Sequence, residues 1–246
     1  MKTGFLFVLW PYLATAICLA GFGLRRAFAR GGVVPDGSGK SEAGGVLYGG
    51  GPLRISLLLL LLGHLAGLVF PRGILLWNND PTRLYTLEGL AFAIGLAALA
   101  GWAMTMRRHL GRYAGSLARQ VSDGVFLSLL FVAILSGLLT AAIYRWGSSW
   151  GALTLTPYGL SLLRGDPAIG LAAEMPFLVQ LHVFSSFAAL AVLPFTRLAP
   201  TLIVGLGRWM TFIFRPISVS AERSWKALVP VLKRSDPSAW IWPEED

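Results

Sequence analysis

The sequence predicts an all-α fold, an integral membrane bundle of five transmembrane helices. Two observations and one constraint carry that reading. Of 246 residues, 55% are hydrophobic and 13% charged, with a mean hydropathy of +0.64, whereas a soluble domain carries about 25% charged residues. Five apolar runs each reach the roughly 20 residues that cross the hydrocarbon core as a helix. Lipid offers no partner to unpaired backbone groups, so such runs must be helical. The composition excludes a disordered chain, a disulfide scaffold and most soluble enzymes. Three histidines and one cysteine exclude a Cys/His zinc cluster.

The first run is Phe5–Leu24. Lys2 ahead of it and Ala14-Thr15-Ala16 within it resemble a secretory signal. Arg25, Arg26 and Arg30 follow directly and favour a retained anchor. Residues 31–51, with Gly37-Ser38-Gly39 and Gly49-Gly50-Gly51, read as a flexible loop. Span 2 is Leu53–Phe70, unbroken from Leu57 to Leu62, and span 3 is Leu87–Met106. Span 4 is Gly124–Tyr144, with Ser122 and Asp123 placed to cap its inner start. Residues 146–175 form the longest outer connection, and Tyr158–Leu163 suits a short helix in the outer interface. Span 5, Pro176–Phe195, completes a transmembrane domain over 1–200, followed by a basic tail over 201–246. Trp10, Trp77, Trp102, Trp146 and Trp150 lie near span ends and read as an aromatic belt. Cys18 packs as a small apolar group.

The net charge of +9 orients the bundle. Arg25, Arg26, Arg30 and Lys40, with Arg54 at the very start of span 2, lie between the apolar stretches of spans 1 and 2, and Arg107, Arg108, Arg112 and Arg119 lie between spans 3 and 4. Seven more follow span 5, from Arg197 to Arg234, which gives sixteen basic residues on one side. Lys2, Arg72, Arg83, Arg145 and Arg164 are the five on the other. The positive-inside rule then puts the N-terminus outside and the C-terminus in the cytoplasm of a multi-pass membrane protein. The charge therefore reflects orientation and implies no nucleic-acid partner.

Two histidines lie inside the spans. His64 is seven residues before Pro71 and His182 six residues after Pro176. At 1.5 Å per residue both sit about 10 Å below the outer surface, on different helices. At matched depth they can ligate one metal between them. Gly63 and Gly67 beside His64, and Ser185, Ser186, Ala188 and Ala189 after His182, leave clearance for a flat macrocycle. Two axial imidazoles on iron would give a low-spin electron-transfer haem b, without thioether links because no Cys-x-x-Cys-His occurs. The other reading is that each histidine hydrogen-bonds a neighbouring helix, where small residues serve close packing. Zinc would need further ligands at that depth, and none is visible. The third histidine, His109, lies in the basic inner loop and reads as solvated or at lipid headgroups.

Gly63-His64-Leu65-Ala66-Gly67-Leu68, together with Gln180-Leu181-His182-Val183 and Pro194-Phe195-Thr196-Arg197-Leu198, resembles the gamma subunit of respiratory nitrate reductase. Pro11-Tyr12, Arg107-Arg108 and Gly165-Asp166-Pro167 extend the likeness over most of the chain. The resemblance implies a quinol-oxidising cytochrome b. Its electrons would pass to the iron–sulfur subunit, and so to the molybdenum catalytic subunit, of an oxidoreductase complex. It also implies two stacked haems on four histidines, of which His64 and His182 match the outer pair. The inner pair would fall ten residues before His64 and eighteen after His182, where Arg54 and Pro200 stand. One haem b is therefore expected, with His64 and His182 as its iron ligands. The wider family also serves hydrogenase and sulfur-metabolism complexes, and a haem-free membrane anchor would keep the same scaffold.

In that family the quinol site lies beside the outer haem, with a basic residue early in helix 3. Arg83 is the positional match, Glu88 is an alternative proton acceptor, and Gly63 is a third quinol-site candidate. Both charged residues also suit interfacial anchors of a helix end. The orientation is directly testable. A protease site inserted at 37–39 is expected to resist protease added to intact cells, and one at 165–167 to be cut. The opposite pattern would overturn the topology.

Overall fold

The computed structural model describes residues 5–30, 51–111, 117–196 and 199. The chain divides after Leu202, and the second unit, Ile203–Asp246, lies outside the described residues. So do the Gly/Ser-rich stretch 31–50, Arg112, Arg197 and Pro200. Among the described residues the secondary structure is helical, without a strand. A π-helical turn, Phe5–Leu9, leads into α1 (Trp10–Arg30). Then come α2 (Gly51–Val69), α3 (Pro71–Trp77), α4 (Pro81–Leu110) and α5 (Leu117–Ile143). The connection to the last described helix carries α6 (Gly147–Trp150), a π turn at Gly151–Leu155, α7 (Thr156–Arg164) and α8 (Ile169–Ala173). The last described helix, α9 (Phe177–Val192), ends in a 3₁₀ turn, Leu193–Phe195. Among the described residues five segments are long and apolar enough to cross a membrane: Phe7–Phe28, Gly51–Val69, Pro81–Leu110, Gln120–Ile143 and Phe177–Phe195.

Local chemistry sets several boundaries differently from the apolar runs. Pro71 stops α2 and opens α3, a helix not foreseen in the sequence. Asp80 caps α4 by accepting from Arg83 N at 3.1 Å, with Pro81 in the first turn. The helix therefore starts six residues before Leu87 and takes Arg83 into its first turn. Helix α5 starts at Leu117, so Ser122 and Asp123 lie within it and do not cap it. Tyr158–Leu163 falls inside α7, which ends at Gly165 with φ +76°, the left-handed closure that glycine tolerates.

Neighbouring spans pack in the order α1–α9–α5–α4–α2. Helices α2 and α9 are not among the closely packed pairs. One core joins Leu53, Ala98, Phe126, Leu127, Leu130, Ile134, Leu138 and Ala189. Within it α4 meets α2 at Gly101, where a Cβ would lie 2.5 Å from Leu53 N. Trp102 donates to Leu127 O at 2.7 Å and stacks on Phe131. It belongs to the helix packing, whereas Trp77 and Trp146 are exposed as belt residues are.

A second core closes the end of the bundle that carries the connection between the fourth and fifth spans: Phe7, Tyr158, Ala172, Met175 and Val179, with Trp150 and Val183 against them. Hydrogen bonds tie this cap to the spans. Tyr158 donates to Phe7 O and Tyr12 to Leu162 O, each at 2.6 Å, and Thr156 donates to Gly67 O at 3.0 Å. Burial, reinforced by Tyr12, pushes the Tyr158 phenol up to about 12, so it remains a donor. At the other end Arg25 donates to Pro194 O and Thr196 O, pinning α1 to the end of α9.

Gly101→Ala is expected to force α2 and α4 apart and to destabilise the fold by about 1–3 kcal/mol. Gly89→Ala, on the same helix with nothing near its Cβ position, is expected to leave the melting temperature in detergent unchanged. Equal melting of the two variants would contradict the close approach.

Candidate functional site

His64 on α2 and His182 on α9 face each other across the gap between their helices. Their ring centroids are 6.0 Å apart and their planes 27° apart. His64 Nδ1 lies 2.7 Å from Leu60 O, one turn back on its own helix. His182 Nδ1 lies 2.8 Å from Ala133 O on α5. A carbonyl only accepts, so each Nδ1 carries a proton, and the tautomer this selects has its lone pair on Nε2. This is the arrangement that orients metal-ligating histidines and raises their basicity.

The separation can be compared with that of two imidazoles sharing one metal. Metal–nitrogen bonds of about 2.0–2.1 Å plus about 1.1 Å from each nitrogen to its ring centre give about 6.3 Å between centroids. The observed 6.0 Å matches this and exceeds ring-to-ring contact. Room around the pair is consistent with a planar ligand. Cβ atoms built at Gly63 and Gly67 would meet nothing within 4 Å, and Gly63 and His64 are exposed. Among the described residues no group of three or more His, Cys, Asp or Glu could hold a bare metal ion. Two imidazole nitrogens are a donor set that a metal carried in its own macrocycle could use.

A residue not singled out from sequence completes the seat of His182. A Cβ at Gly137 would lie 2.9 Å from His182 Cε1 and 3.1 Å from Nδ1. The imidazole therefore rests directly on the backbone of α5, one turn from the carbonyl it bonds. The available signal was the small-xxx-small pair Ala133 and Gly137 in an apolar span.

The other candidates sit in different surroundings. Gly63 adjoins His64 on the open side. Arg83 is exposed, with its guanidinium 5.4 Å over the Trp77 ring, while Trp77 Nε1 donates to Arg83 O at 3.3 Å. Glu88 is half-buried, and its Oε1 accepts from Ser148 N at 2.7 Å and Ser148 Oγ at 2.6 Å. Arg54 stands half-buried in the first turn of α2, while Pro200 lies outside the described residues. His109 is half-buried at the end of α4, its Nε2 3.5 Å from where a Cβ on Gly124 would sit, so it packs on α5.

The protein family described as nitrate reductase gamma subunit matches residues 3–223, a stretch that includes all five spans and both facing histidines. The chain is also 25% identical over 218 residues to the nitrate reductase-like protein NarX of Mycobacterium tuberculosis, in strains CDC 1551 and H37Rv. That likeness covers 87% of this chain and 33% of NarX, so the chain spans about a third of the length of these relatives.

Proposed function

The chain belongs to the nitrate reductase gamma subunit family, and on that premise we propose that it is the membrane electron-transfer subunit of a nitrate-reductase-like molybdenum oxidoreductase. It takes electrons from the quinol pool and delivers them to the iron–sulfur subunit of the complex. A single haem b is held by His64 and His182, the N-terminus is outside and the C-terminus is cytoplasmic. The observation that supports this most is the 6.0 Å separation of the two rings, with both Nδ1 atoms turned onto backbone carbonyls.

The haem supplies one-electron redox chemistry when bound, which links a two-electron quinol to one-electron carriers. The chain's residues supply position and surroundings. His64 and His182 would hold the haem iron through Nε2, the nitrogen that neither backbone carbonyl engages. The Leu60 and Ala133 carbonyls hold the tautomers, and Gly137 lets His182 reach its place. The outer core around Phe7, Tyr158 and Val179 keeps water from the outer end of the pair. Gly63 leaves space beside His64 for the flat head of a quinol. Arg83 stays charged throughout, so it orients the quinol without donating a proton. Glu88 provides a carboxylate in the outer half of α4. Arg54, at the position of an inner ligand, supports a single haem.

The purified chain is expected to show a reduced b-type spectrum with one haem per polypeptide. His64→Ala and His182→Ala are each expected to abolish it while the melting temperature shows a folded protein. No b-type absorbance in the parent chain, or absorbance that survives both substitutions, would sink the proposal. Two haems per chain would remove the single-haem assignment and leave the family intact.

Gly137→Ala tests the seat more finely. It is expected to retain haem at reduced occupancy and to shift the low-spin electron paramagnetic resonance signal as the His182 ring is displaced. An unchanged signal would show that the ring does not rest on α5.

A further inference from the structure

Two prolines interrupt the backbone bonding of the first and second spans at the end that carries the connecting segment. In an α-helix each carbonyl accepts from the N–H four residues on, and a proline has no N–H to give. Pro71 therefore offers nothing to Gly67 O, and Pro11 nothing to Phe7 O. Both carbonyls are taken by hydroxyls of one short helix, α7. Thr156 donates to Gly67 O at 3.0 Å and Tyr158 to Phe7 O at 2.6 Å, and both donors are buried residues.

The two donors are two residues apart, about 200° around α7, so the helix lies between its two targets. Its other contacts sort in the same way. Gly159, one turn from Thr156, packs on α2, where a Cβ would lie 3.3 Å from Leu68 Cδ1. Leu162, one turn from Tyr158, accepts from Tyr12 of α1 at 2.6 Å. The helices joined, α1 and α2, are the two ends of the packing order α1–α9–α5–α4–α2. Each leads to one of the facing histidines. Gly67 is three residues beyond His64, on the next turn of the same face. Helix α2 joins the main core through Leu53, Leu57 and Leu60, all on the other side of His64. On α1, Trp10 donates to Phe184 O at 3.2 Å and stacks on the Phe184 ring, two residues from His182 on α9.

We propose that α7 is a clamp keyed to the two prolines, and that Thr156 and Tyr158 are positioning residues for the histidine pair. By taking the carbonyls of Gly67 and Phe7 they hold the two ends of the arc at one spacing. That spacing sets the distance and tilt at which His64 meets His182, because α2 and α9 are not packed closely on each other. The consequence for the iron axis rests on the haem reading above. The spacing itself is a property of the chain.

The test uses the full chain in lipid nanodiscs. Val69→Cys and Phe177→Cys, in a Cys18→Ala background, carry spin labels at exposed positions on the ends of α2 and α9, and pulsed double resonance reads the distance between them. The parent is expected to give one narrow distance. Thr156→Val keeps the shape and removes the hydroxyl. It is expected to broaden the distance distribution, to shift the low-spin haem resonance and to speed haem loss by about 2- to 10-fold. Thr156→Ser is expected to restore all three, and Tyr158→Phe to act in the same direction as Thr156→Val. Thr86→Val, at an exposed hydroxyl that bonds within α4, is expected to change none of them. Parent distances and a parent resonance in Thr156→Val would overturn the clamp. So would a lower melting temperature without either change, since the bond would then only stabilise the fold. If the parent holds no haem, the cytochrome reading falls and the label distances alone decide whether α7 sets the spacing. Should Thr156→Val or Tyr158→Phe fail to fold, the other decides by the same readings.

Discussion

Inside a bilayer an imidazole N–H meets no water, and an unpaired donor there is expensive. The Leu60 and Ala133 carbonyls answer that constraint for His64 and His182. By doing so they decide which nitrogen of each ring is left with a lone pair. Ala133 sits on a third helix, so the aim of His182 depends on how α9 lies against α5. Gly137 makes that approach possible, because any larger residue would stand where the ring lies. The helix order α1–α9–α5–α4–α2 carries the constraint around the bundle and brings His64 back to face His182 without close packing of α2 on α9.

The five spans and the matched depth of the two histidines could be read from the sequence, because both depend on the period and length of apolar runs. Helix ends were harder. Asp80 and Pro81 start α4 on a polar stretch that hydropathy counts as loop, and Asp123 reads as a cap only if α5 is assumed to begin where the apolar run does. The same limit hid α3, whose seven residues are too few to show a helical period. Gly137 was invisible for another reason. A glycine's role here lies in what approaches it from a different helix, and a single sequence records no such neighbour. Trp150 illustrates the converse. Its position suggested a belt residue, but the fold packs it against the second core.

The outer connection does more than link two spans. Its Tyr158 and Thr156 donate to Phe7 O and Gly67 O, and its Leu162 O accepts from Tyr12 of α1, which ties the first and second spans to it at one end. That end carries the histidine pair and most of the candidate quinol residues. The opposite end, among the described residues, is held by Arg25 on the end of α9 and by packing of His109 on α5. The facing histidines thus lie in the half of the bundle that side-chain bonds from the connecting segment hold together.

Packing of the spans as an arc, not a closed ring, has a bearing on traffic. Among the described residues Gly63 and His64 are exposed although they lie well inside a helix long and apolar enough to span a membrane. On the proposed reading, a lipid-soluble carrier diffusing in the plane of the bilayer would meet this face from the side, with no aqueous step and no displacement of the cap.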